Sequence, residues 1–126
     1  MAFVRSQPKP YLDAFLLPVR REAEDVYRKW AKVSAEVWLA NGALSYVEAR
    51  ADDVPFGNLT SFPRAVQLTE DEVLYIALAT YRDRAHRDEV NAKVMADPRL
   101  KNMMIDSPVD GKRMIFGGFN SVVSTV

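Results

Sequence analysis

Tyr11 to Val19 is apolar in both of its alternating sets. Leu12, Ala14 and Leu16 fall on one face of an extended segment, and Tyr11, Phe15 and Leu17 on the other. A strand of this kind has to be covered on both faces. Asp13 interrupts the Tyr11–Phe15 face, either as a charge reaching solvent or as a carboxylate that binds a ligand or handles protons. Pro18 and the charged run Arg20-Arg21-Glu22 then turn the chain into a helix from Glu22 to Asn41. Val26, Trp30, Val33 and Val37 recur at the helical period and predict its buried stripe. Tyr27, Ala31, Ser34 and Trp38 form a more amphipathic stripe beside it, and Asn41-Gly42 marks the end. Ala43 to Ala51 alternates as a second strand. The segment from Asp52 to Pro63 reads as a loop by its Pro, Gly, Asn and Asp content. It is longer than the usual hairpin connection, as lids and binding loops are, and Phe56 and Phe62 are expected to pin it. Ala65 to Leu68 reads as a short edge strand. Val73 to Tyr81 is a third main strand, again apolar on both faces.

The next segment, Tyr81 to Leu100, is the most distinctive. Asp83 is a good helix N-cap. Ala85, Val90, Val94 and Met95 give an apolar stripe, and Glu89 and Lys93 stand in the favourable order for a surface ion pair. Pro98 disfavours helical geometry at Asp97, so the helix should stop there. Arg99 to Lys112 reads as irregular, with Met103, Met104 and Ile105 packing down in part. Asp110-Gly111 signals a turn. Arg113 to Val123 is the last strand, and Gly117-Gly118 inside it marks a bulge or a close approach.

The order strand, helix, strand, strand, helix, strand predicts an α+β, ferredoxin-like βαββαβ fold with a four-stranded antiparallel sheet. Residues 1–126 make one domain, and Pro8 and Pro10 make residues 1–10 a loose arm. Two helices cover only one face of such a sheet. The simplest cover for the other is the same face of a second copy, so a homodimer through the sheet faces is expected.

Composition narrows the chemistry. The chain has no cysteine and one histidine, His86. Disulfides and thiolate metal sites are excluded, and no metal is expected. The 17 basic and 17 acidic residues cancel, which argues against nucleic acid as a partner. No apolar run is long enough to span a bilayer, so no membrane partner is expected. The first residues lack a signal-peptide core, and the expected location is the cytoplasm. No nucleophile elbow, P-loop or dinucleotide fingerprint is present, and no cofactor is expected.

Three segments carry a family resemblance: Ser61-Phe62-Pro63-Arg64-Ala65-Val66, the stretch from Ala85 to Leu100, and the stretch from Asp110 to Phe119. Together with Tyr11 to Val19 they resemble the uncharacterised bacterial YbaA-like family, over about Tyr11 to Phe119. The resemblance implies the dimeric α/β-barrel superfamily and no established activity. Position 14 is Ala where the family pattern has Gly. Superfamily relatives bind ligands between sheet and helices, an analogy of fold only.

Candidate residues follow from chemistry. His86 could act as a general base near neutral pH, or be a helix-surface residue hydrogen-bonded to a loop. Arg64 and Arg113 could hold a carboxylate or phosphate, or pair with Asp52, Asp53, Asp110 or a partner chain. Tyr46, Trp38 and Asn91 could orient a ring or a carbonyl, with Asp13 as a further ligand-binding carboxylate. Trp30 and Trp38 read first as packing and second as stacking surfaces. Three functions are compatible: a binder or enzyme for a small anionic or aromatic molecule in the sheet–helix cleft, a non-catalytic structural or stress-related dimer, and an RNA-binding module.

Overall fold

The computed structural model describes residues 9–125; the greater part of the expected N-terminal arm lies outside them. The element order is β1 (Tyr11–Arg20), a 3-10 turn (Arg21–Ala23), α1 (Glu24–Ala40), β2 (Ser45–Arg50), α2 (Phe62–Ala65), β3 (Glu72–Tyr81), α3 (Arg84–Ala96), α4 (Pro98–Met104) and β4 (Ile115–Asn120). The strands form one antiparallel sheet in the order β2-β3-β1-β4. This is the ferredoxin-like α+β fold. The doubly apolar strands β1 and β3 take the centre, paired from Tyr11 with Tyr81 to Arg20 with Glu72.

That register puts Tyr11, Asp13, Phe15, Leu17 and Val19 on one face with Val73, Tyr75, Ala77, Ala79 and Tyr81. The helices cover this face in two buried clusters. One joins Tyr11, Ala79 and Tyr81 to Val37, Val90, Val94 and Leu100. The other joins Leu17, Val19, Val73, Tyr75 and Ala77 to Tyr27. The opposite face carries Leu12, Ala14, Leu16, Leu74, Ile76 and Leu78, flanked by Val47, Ala49, Ile115 and Phe119. No helix covers it.

Several expectations need correction. The buried stripe of α1 runs through Tyr27, Ser34 and Val37, while Val26 is exposed. Val37 of the expected stripe is buried, and Tyr27 and Ser34 of the more amphipathic stripe join it, with the Tyr27 ring between those of Trp30 and Tyr75. On α3 the buried positions are His86, Val90 and Val94; Ala85 and Met95 are exposed. The edge strand expected at Ala65 to Leu68 is absent. Short helix α2 ends at Ala65 and a turn follows at Val66 and Gln67, where Gln67 has φ 52°; α2 is started by Ser61, whose hydroxyl accepts from Arg64 N, with Pro63 in the first turn. Residues 99–112 are not all irregular. Asp97 accepts from Arg99 N and starts α4, so Pro98 both ends one helix and opens the next. β4 is shorter than expected.

Asp83 does cap α3, accepting from His86 N, and the Glu89–Lys93 pair forms at 3.3 Å. The Gly117-Gly118 signal resolves as a close approach within a regular register. A Cβ at Gly118 would lie 2.7 Å from Arg87 Nη2 and closer still to the Tyr11 hydroxyl; one at Gly117 would meet only the Phe119 ring, at 3.8 Å. Gly118→Ala should therefore destabilise by about 1–3 kcal/mol through overpacking, and Gly117→Ala by much less. Denaturant unfolding of the two variants checks this, and equal stabilities would refute it.

Candidate functional site

The two helix-side clusters part over the middle of the sheet and leave a cleft of about 300 Å3. Its sheet wall is Asp13, Phe15 and Leu17 from β1, with Ala77, Tyr46 and Phe116. Its helix wall is Trp30, Ser34 and Trp38, three successive turns of α1. Arg87, Asn91, Val94 and Met95 of α3 close one end, and Leu100, Met104 and the segment from Ser107 to Met114 form the rim. Aromatic rings meet along it: Phe15 lies edge-on to Trp38 and stacked on Phe116, and Trp38 lies against Tyr46.

Polar groups gather at the α3 end. Asp13 is 3% exposed. A carboxylate so deep needs a partner. Arg87 supplies it, with Nε 3.0 and 3.1 Å from the two oxygens and Nη2 2.9 Å from Oδ1. Tyr81 donates to Asp13 Oδ2 at 2.9 Å and accepts from Trp38 Nε1 at 3.1 Å. Asn91 Oδ1 lies 3.4 Å from the same hydroxyl. Burial, and then the neighbouring Asp13, push the Tyr81 phenol above its usual range. The Asp13 hydrogen bonds hold Arg87 firmly protonated. Tyr81 is a poor proton donor here, and Asp13 is engaged on both sides, so this cluster suits anchoring better than proton transfer.

Under the middle of the cleft, Glu48 accepts from the Tyr46 hydroxyl at 3.0 Å and from that of Tyr27. Burial raises the Glu48 pKa, opposed by these two hydrogen bonds. One polar atom in the cleft wall stands out. Trp30 Nε1 is buried without a hydrogen-bond partner, whereas Ser34, one turn on, hydrogen-bonds the Tyr46 hydroxyl. An orphaned donor costs about 1–3 kcal/mol, so such groups are uncommon in a closed core.

Of the residues singled out by sequence, Asp13, Trp38, Tyr46 and Asn91 come together at this cleft. His86, Arg64 and Arg113 do not line it. His86 is buried behind α3, where Nδ1 accepts from Arg82 N at 3.0 Å, the ring meets Tyr81 edge-on, and Gly42 packs close. Arg64 clasps the long loop, donating to the carbonyls of Phe56 and Gly57 at 3.0 Å each and lying 4.1 Å from the Phe56 ring centre. The loop is thus tied by Arg64, whereas Phe56 and Phe62 remain exposed. Arg113 pairs with Glu72 and Asp110 and donates to the Gln67 carbonyl.

Sequence reasoning missed Arg87 and Tyr81. The signal was present: Arg87 stands one turn before Asn91 on α3, and a carboxylate on a doubly apolar strand demands a cation.

The Arg113 pairing yields a pH prediction. The Arg113 hydrogen bonds hold Glu72 at about 2, against an ordinary 4.5. A depressed folded-state value gives stability that is present above the unfolded value and lost as pH falls through the folded one. With solvent screening of the partly exposed Arg113, the loss between pH 5 and pH 2 should be about 1–2 kcal/mol. Denaturation in urea across that range measures it, and Arg113→Ala should flatten the acid limb; an unchanged slope would contradict the pairing.

A ferredoxin-like sheet with a helix-covered aromatic cleft on one face and an uncovered apolar surface on the other defines the class of protein. The family model described as "Protein of unknown function (DUF1428)" matches residues 10–111, and the chain belongs to that family. It is 41% identical over 113 residues to "Uncharacterized protein YbaA" of Escherichia coli, covering 90% of this chain and 97% of that one, and matches the Shigella flexneri protein of that name equally. Among solved structures, a mutant of the cofactor-independent oxygenase SnoaB from Streptomyces nogalater superposes with TM-score 0.57 at 11% identity, covering 92% of this chain and 96% of that one. A dimeric ferredoxin-like protein from an uncultured marine organism gives TM-score 0.58 at 14% identity, covering 92% and 99%. At these identities the structural matches speak for the fold alone. No helix among the described residues is long and apolar enough to cross a membrane.

Proposed function

We propose that this chain forms a homodimer through its uncovered sheet face, and that each protomer holds a small, largely apolar organic molecule in the cleft between sheet and helices. The observation that carries the binding reading is the cleft itself. It offers aromatic walls, one polar cluster at its end and one orphaned donor, Trp30 Nε1, in its wall. A concave, mainly apolar site with few polar groups is what small-molecule recognition requires.

The dimer reading rests on the other face. Leu12, Leu16, Ile76, Leu78, Val47, Ile115 and Phe119 stand there together, and Val47 and Phe119 are more than half exposed. A contiguous apolar surface of that character marks an interaction site. Its apolar middle favours a second copy over RNA, whose phosphates call for basic residues. A neighbour in fold is described as dimeric, which agrees with this reading.

Binding is tested by the melting temperature of the protein against a collection of small aromatic compounds. A ligand of the folded state raises stability by about 2.7 kcal/mol at a hundred times its dissociation constant. Concentration-dependent rises, weakened in Phe116→Ala, are expected. A flat response across the collection would count against the cleft as a ligand site.

A further inference from the structure

Resting on the cleft as a ligand site, we infer that its ligand class is an uncharged, elongated aromatic molecule bearing a carbonyl or ether oxygen, with that oxygen bound at the Trp30–Ser34 end.

Length comes from two independent rulers. Trp30, Ser34 and Trp38 mark three turns of α1, a span of roughly 12 Å at helical rise. Asp13, Phe15 and Leu17 mark the opposite wall, a span of roughly 13 Å at strand rise. The two walls run side by side. Phe15 and Trp38 meet near the Asp13 end, while Trp30 belongs with Leu17 and Tyr27 at the other. A molecule of two or three rings would fill that length.

Charge is decided by the lining. Asp13 and Arg87 are the only carboxylate and the only cation among the residues that line the cleft, and they neutralise one another directly. A ligand carboxylate would find no uncommitted cation, because the remaining Arg87 contact goes to Asp88 at 2.9 Å. An anion would have to break the Asp13–Arg87 pair or lie unpaired among Phe15, Leu17 and Met114. Either is costly for a buried charge.

Orientation comes from the orphaned group. An indole N–H can only donate, and a hydroxyl can donate or accept. Trp30 Nε1 lacks a partner. Ser34, one helical turn on, hydrogen-bonds the Tyr46 hydroxyl, which in turn donates to Glu48. A ligand oxygen that reaches Trp30 Nε1, with a small shift of the wall, satisfies a donor that the free protein leaves unpaired. At the opposite end the tryptophan is already satisfied, since Trp38 Nε1 donates to Tyr81. The two tryptophans therefore differ in what they can offer a ligand.

The test uses two probes of equal shape, 2-acetylnaphthalene and 2-naphthoate, titrated by calorimetry into the full chain at neutral pH. The ketone is expected to bind at least about tenfold tighter than the carboxylate, because only the latter must desolvate a charge without a partner. Trp30→Phe keeps the ring and removes the N–H. It should weaken the ketone about three- to tenfold and leave 2-ethylnaphthalene unchanged, the worth of one hydrogen bond. Trp38→Phe should not remove the ketone's advantage over 2-ethylnaphthalene. Equal or tighter binding of 2-naphthoate overturns the uncharged class while the cleft survives as a site. An unchanged ketone preference in a folded Trp30→Phe overturns the orientation. If none of the three probes binds, the cleft reading fails and this inference with it.

Discussion

Arg87→Ala is expected to cost the folded chain about 2–4 kcal/mol. The magnitude follows from what the substitution leaves behind. Asp13 is 3% exposed and takes both Nε and Nη2 of Arg87, so truncation strands a carboxylate with only the Tyr81 hydroxyl for company. Removing one member of a buried pair is far worse than removing both. The double variant Asp13→Leu with Arg87→Met should recover most of the loss, because an apolar pair fits the surroundings of Tyr11 and Phe15. Urea unfolding of the wild type, the single variant and the double variant measures the difference. A single variant within about 0.5 kcal/mol of wild type would mean that water already solvates Asp13.

Leu78→Glu is expected to split the proposed dimer. Leu78 lies at the centre of the uncovered sheet face, beside Ala14 on β1 and Val47 on β2. In a monomer the new carboxylate reaches solvent, so the fold should survive. Between two sheet faces it would be buried without a partner, a cost of several kcal/mol that raises the dissociation constant at least about a hundredfold. Sedimentation at micromolar concentration should show twice 14.3 kDa for the wild type and the chain mass for the variant. A wild-type monomer that stays dispersed at high concentration would remove the sheet-face dimer.

The fold was legible because its two central strands state their own burial. Tyr11 to Val19 and Val73 to Tyr81 are apolar in both alternating sets, and only the two middle positions of the sheet need that. Helix faces were less legible. Val26 and Tyr27 are neighbours around α1, and periodicity alone could not tell which stripe the sheet would claim; the Trp30 and Tyr75 rings decided for Tyr27. The edge strand at Ala65 failed because the cap at Ser61 and the proline at Pro63 act locally and override the apolar run. Pro98 was read only as a stop, although a proline also suits the first turn of the next helix.

The site was half legible. Asp13, Trp38, Tyr46 and Asn91 meet at the cleft. Residue type pointed to His86, Arg64 and Arg113 as well, but type does not reveal prior commitments. Each is engaged elsewhere: His86 with Arg82 N, Arg64 with two loop carbonyls, Arg113 with Glu72. The orphaned N–H of Trp30 had no sequence signal at all, because an unmade hydrogen bond depends on what packs around it.

Trp30 and Trp38 are the chain's two tryptophans, and both line the cleft. The indole N–H resonances of isotope-labelled protein therefore watch the proposed site with no other tryptophan in view. Titration with small neutral aromatic compounds should move the Trp30 indole signal saturably, with a smaller change at Trp38, which keeps its bond to Tyr81. If compounds that bind the protein leave both indole signals in place, the molecule binds its ligands elsewhere and the cleft is only a gap in the packing.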